Sequence, residues 1–122
     1  MAGFGRSFKG WAPGRSTSKY RNIPCTIEGI RFQSQREGRR YWEYRQEEKA
    51  GVLKILALQK PFPFVHGGIK ICEYRADFII MYKVGPNAGI ELVVDAKGKR
   101  TNEYILKKKM MKAFYGIDIV EV

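Results

Sequence analysis

Two apolar runs joined by a turn constrain this chain most. Ile69 to Tyr82 and Ile90 to Lys97 flank Gly85-Pro86-Asn87-Ala88-Gly89. Runs of this length, rich in β-branched and aromatic residues and bounded by Gly and Pro, read as strands. Asp77 interrupts the first and Asp95 the second. A charge inside a buried strand is costly unless it is paired or holds an ion. If the turn makes the strands antiparallel neighbours, Asp77 stands beside Asp95. Side chains repeat every two residues on a strand, so Lys97 shares the face of Asp95.

The rest of the chain frames this pair. Cys25 to Phe32 reads as two short strands around a tight Glu28-Gly29 turn. Ser34-Gln35-Arg36-Glu37 has the form of a capping box and opens a helix to about Ala50, closed by Gly51. Tyr41, Trp42 and Tyr44 on that helix are expected in the core. Val52 to Leu58 is an apolar strand that Gln59, Pro61 and Pro63 either end or turn into an edge. Thr101 caps a second helix to about Tyr115, with Leu106, Met110, Ala113 and Phe114 as its buried stripe. Ile117 to Val122 closes the chain as a strand. The order is hairpin, helix, three strands, helix, strand, an α/β domain with a mixed central sheet flanked by helices.

With 122 residues, one domain is expected, spanning 20–122, preceded by a flexible basic arm over 1–19. The arm is either a terminus without a role or a phosphate-contacting segment. The formal net charge is +11, which points to a polyanionic partner, nucleic acid first. No apolar run is long enough for a spanning helix and no secretory leader is evident, so a reducing cytoplasm is expected. Cys25 and Cys72 are too few to staple a secreted scaffold. The lone histidine, His66, lies in a turn-like Gly-rich segment, which argues against His-metal and Cys-His or Ser-His chemistry. There is no phosphate-loop motif, so no nucleotide cofactor is expected. An enzyme built from this chain must therefore run on carboxylates, lysines and a metal.

Hard ions such as Mg²⁺ or Mn²⁺ take carboxylate oxygens, and a paired site clamps a phosphate. A lysine beside them orients water or neutralises charge developing on phosphate. The alternative for Asp77, Asp95 and Lys97 is a structural salt bridge between strands. Around them, Arg36, Arg39, Arg40, Lys99, Arg100, Lys108 and Lys112 are candidate contacts to nucleic-acid phosphates. Gln59 is either a strand-end hydrogen bonder or a residue reaching the site. Glu43, Glu47 and Glu48 read as solvated helix charges.

An acid followed one strand later by (D/E)-x-K, here Asp77 and then Asp95-Ala96-Lys97, resembles the PD-(D/E)xK nuclease superfamily. Its common core of helix, three strands, helix, strand is the order read above. Glu28-Gly29-Ile30-Arg31-Phe32-Gln33-Ser34, Leu58-Gln59-Lys60-Pro61-Phe62, Tyr74-Arg75-Ala76-Asp77-Phe78 and Leu106-Lys107-Lys108-Lys109 also look like a family of short phage-encoded nucleases of that superfamily. The resemblance spans roughly Lys19 to Val122. It implies that Asp77 and Asp95 are metal ligands and Lys97 the catalytic lysine. Glu37 matches the acid that resolvase-like branches place on the first helix; its other reading is the capping box itself. Ala76 stands where the superfamily has proline, and Gly38 where the phage family usually has Ala, which would only loosen the helix by up to about 1 kcal/mol. The implied activity is Mg²⁺-dependent, structure-selective DNA cleavage, with a Holliday junction resolvase acting as a homodimer on branched DNA the first expectation. A flap- or end-trimming nuclease and a non-catalytic nucleic-acid-binding protein of the same fold are the alternatives.

Overall fold

A computed structural model describes residues 23–122. The basic arm over 1–19 and the expected start of the fold at Tyr20 lie outside the described residues. The described chain is β1 (Cys25–Ile27), β2 (Ile30–Phe32), α1 (Gln35–Lys49), β3 (Leu53–His66), β4 (Ile69–Tyr82), β5 (Glu91–Asp95), α2 (Asn102–Tyr115) and β6 (Val120–Glu121). β1 and β2 form a small antiparallel hairpin; the other strands form one sheet in the order β3-β4-β5-β6. Its first two pairings are antiparallel, whereas β5 and β6 run parallel, so the sheet is mixed as expected.

Phe78, Ile79 and Ile80 of β4 are apolar at successive positions because both faces of the strand are covered there. Phe78 and Ile80 pack with Val94, Leu53 and the α1 aromatics Tyr41 and Tyr44. Their neighbour Ile79 packs with Val93, Tyr104 and Met111 of α2. The period of two thus separates two cores, one beneath each helix. Phe32, Phe64 and Phe78 are the largest fully buried side chains, each worth about 2–3 kcal/mol in transfer from water.

β1–β2 is clamped to α1 by Glu28. Its Oε1 accepts from Tyr41 Oη at 2.7 Å and from Arg45 Nε at 3.2 Å. Gly38 is required by this approach. A Cβ there would run into Cys25 Sγ and lie 3.1 Å from Ile27 Cδ1. The glycine therefore lets the hairpin seat on the helix, which corrects the reading that it only loosens α1.

Of the two readings of Pro61 and Pro63, the edge strand holds: β3 continues through both, paired with Arg75 and Glu73, at the edge of the sheet. Other expectations change. β5 stops at Asp95, so Lys97 lies just past the strand. The reason is that Ala96 N–H donates to Asp77 Oδ2 at 2.8 Å instead of continuing the ladder. β6 is shorter than Ile117 to Val122 because the Ile117 amide closes α2 on Met111 O. On α2 the buried residues are Tyr104 and Met111, whereas Leu106 and Phe114 are 57% and 43% exposed. Tyr104 takes the inward position because its hydroxyl reaches Glu121 Oε2 at 2.8 Å. Trp42 faces water, 49% exposed.

Candidate active site

The sheet register assembles the site. The last β4–β5 pair before the acids is Phe78 with Val94; one step further sets Asp77 across from Asp95. On the other side, Leu58 pairs with Phe78 and Lys60 with Ala76, so Gln59 falls opposite Asp77. Gln59, Asp77 and Asp95 therefore stand at one level of three neighbouring strands. Glu37 reaches this row from the first turn of α1. Ser34 Oγ caps the helix by accepting from Glu37 N at 3.1 Å. The box closes only halfway: the Glu37 carboxylate takes the Gln33 N–H and lies against Asp77. Gln59 Nε2 donates to Glu37 Oε2 at 3.4 Å. Glu37 and Asp95 are 5% and 3% exposed.

Burial and mutual repulsion govern the protonation of this cluster. Burial pushes the Asp77 carboxyl up to about 8, and the charges of Asp95 and Glu37 add to it, against the Ala96 N–H. Burial also raises Glu37, with Asp95 contributing, while the Gln33 N–H, Gln59 and Asp77 pull it down. Asp77 is thus biased toward its protonated form. Asp95 is fixed from below by Tyr74, whose hydroxyl donates to Oδ2 at 2.5 Å; burial first and then this carboxylate raise the Tyr74 phenol. Lys97 Nζ sits 3.7 Å from Asp95 Oδ1 and 4.4 Å from the centre of the Tyr104 ring. The loss of strand geometry after Asp95 therefore does not separate the lysine from its acid.

The row opens into a cleft of about 910 Å³ lined by the first turns of both helices. Their positive dipole ends suit an anion. Of the predicted cationic contacts, Arg36 and Lys99 line this cleft with Lys97. Arg40 instead pairs with Glu43 at 3.2 Å, Lys108 and Arg100 with Glu121 at 2.8 and 3.5 Å, and Lys112 with Asp118 at 2.9 Å. These residues and the exposed Arg39 do not line it. Lys107, from the α2 lysine run that also holds Lys108 and Lys109, lines it as well, paired with Glu103 at 2.8 Å. Arg75, Tyr74 and Tyr104 line it too, and sequence reasoning had not singled them out. Tyr74 carried no separate signal, since a strand tyrosine usually packs.

Three carboxylates supply hard oxygen donors of the kind Mg²⁺ and Mn²⁺ take. Burial first, and then the charges of Asp95 and Glu37, hold the Asp77 carboxyl up, and a divalent ion is one group that would relieve that repulsion. In donor chemistry the set fits such an ion. Among the described residues, however, no three His, Cys, Asp or Glu side chains stand as a ready-made ligand cage. The candidate donors are Glu37, Asp77 and Asp95. Among the described residues no helix is long and apolar enough to cross a membrane. No curated protein and no solved structure matches the chain. A family model described as a protein of unknown function, DUF1064, matches residues 17–119, and the chain belongs to that family.

Proposed function

We propose that this protein is a Mg²⁺- or Mn²⁺-dependent DNA endonuclease selective for branched DNA. The observation that carries the reading is the coupled row of Glu37, Asp77 and Asp95 with Lys97 beside it, set at the floor of a cleft edged by cations. A protein that only bound phosphate would gain nothing from buried acids facing it.

In this reading Asp77 and Asp95 hold the ion, and Glu37 supports it from α1. The ion, when bound, withdraws charge from the phosphate and acidifies water. Arg36 and Lys99 hold the flanking phosphates, with the positive dipole ends of the two helices adding to the field there. Lys97, carried on the Tyr104 ring and drawn to Asp95, orients the attacking water and offsets the charge that grows on the phosphoryl oxygens. Water oxygen bonds to phosphorus as the bond to the 3′ oxygen breaks. The leaving oxygen takes a proton, giving a 5′-phosphate and a 3′-hydroxyl.

The choice of branched DNA rests on size and on resemblance. A described domain of residues 23–122 leaves little surface for reading long base sequences. Resolvase-like enzymes work as symmetric dimers, which would let two such clefts cut two strands. A panel of four-way junction, flap, linear duplex and single strand tests the substrate. Paired symmetric nicks in the junction are expected. Equal cleavage of all four would remove the junction preference and leave a general nuclease.

A further inference from the structure

Gln59 is the one described residue besides Glu28 that is not glycine and has positive φ, at +53°. Glu28 occupies a hairpin turn, where such angles belong. Gln59 lies inside the fourteen-residue strand β3. The pairs on either side of it, Leu58 with Phe78 and Lys60 with Ala76, are intact, while Gln59 itself is unpaired across from Asp77. A left-handed residue within a strand re-aims its side chain, much as a bulge does. Such strain in a side-chain-bearing residue persists only when its surroundings hold it, and it gathers at functional sites.

The amide that results is fully engaged as a donor. Nε2 donates to Arg31 O at 3.0 Å and to Glu37 Oε2 at 3.4 Å. It thus ties the Glu37 carboxylate to the backbone of β2, on the side of the row away from Asp95. We propose that Gln59 is a positioning residue of the candidate site: its backbone leaves the extended path of β3 so that its amide fixes Glu37 beside Asp77 for capture of a divalent cation. This rests on the reading of the acid row as a metal site.

Two variants separate the backbone from the side chain. Gln59→Ala and Gln59→Gly remove the same amide, but only glycine accepts φ near +53° without strain. Mn²⁺ binding to the full chain is measured by calorimetry, with Asp95→Ala as the control for adventitious sites, and melting is followed in chelator. Both variants are expected to lose about tenfold or more in Mn²⁺ affinity, by similar factors. Gln59→Gly is expected to melt about 4–8 °C above Gln59→Ala. Wild-type affinity retained within about twofold in both variants would overturn the role of Gln59 alone. Equal melting of the two variants would overturn the claim of strain. A wild-type chain that binds no more Mn²⁺ than Asp95→Ala would overturn the metal site and this role with it.

Discussion

Replacing Asp77 by Asn should stabilise the metal-free protein at alkaline pH. The carboxyl titrates near 8 rather than at its ordinary 3.8, chiefly through burial and then through Asp95 and Glu37. The folded state therefore binds this proton more tightly than the unfolded chain does. Between about 4 and 8 the unfolded state has released it and the folded state has not, so the group's contribution to stability falls as pH rises through that window. At full strength the displacement corresponds to roughly 5–6 kcal/mol. The site opens on a cleft where water screens it, which leaves about 2–3 kcal/mol. Asn keeps an acceptor for the Ala96 N–H, now at 2.8 Å from Asp77 Oδ2, and carries no charge to desolvate. Thermal melts in chelator at pH 5 and pH 9 read the effect as a difference between variant and wild type. The two should melt alike at pH 5, and Asp77→Asn should melt about 10–20 °C higher at pH 9. Added Mg²⁺ should raise the wild-type melt at pH 9 and leave the variant unmoved. A variant that melts below wild type at pH 9 would refute the reasoning, because it would mean that the charged carboxylate is favoured where it sits.

Lys97→Met should lower cleavage of junction DNA by roughly 10²–10³ with binding unchanged, as expected of a group that acts on charge formed in the transition state; gel-shift and cleavage assays on one preparation separate the two. Arg36→Ala should reduce the slope of log affinity against log salt by about 1, whereas Lys107→Ala and Lys108→Ala, whose ammoniums are held 2.8 Å from Glu103 and Glu121, should change it less. Gly38→Ala should destabilise the fold by about 1–3 kcal/mol in denaturant melts despite the better helix propensity of alanine. Adding Cys25→Ala should recover at least half of that loss, because Cys25 Sγ is the atom the new methyl meets.

The elements that were legible in the sequence are those whose pattern and packing agree. β4 and the start of β5 read as strands because Phe78, Ile79, Ile80, Val93 and Val94 are all buried between two helices. That same burial made Asp77 and Asp95 conspicuous, and the turn between the strands was enough to set them side by side. Features decided by a partner far along the chain were not legible. The end of β5 depends on Asp77 capturing the Ala96 amide. Apolar spacing on α2 favoured Leu106 and Phe114, but Tyr104 turns inward because its hydroxyl finds Glu121. Gly38 looked like a weak helix residue because nothing local announces the hairpin lying on it. Charge alone could not rank the cations, since Arg36 and Lys99 line the cleft while Lys108 and Lys112 are paired with Glu121 and Asp118 away from it.

DNA cleavage by the acid row with Lys97 is read in a single-turnover incubation of the full chain with an end-labelled four-way junction in Mg²⁺ and in Mn²⁺, with Asp95→Ala and a chelator control alongside. Nicks ending in 5′-phosphate and 3′-hydroxyl are expected with wild type and are expected to vanish in Asp95→Ala and in chelator. Junction binding without cleavage in either metal, or cleavage that survives Asp95→Ala, would rule out cleavage by this row.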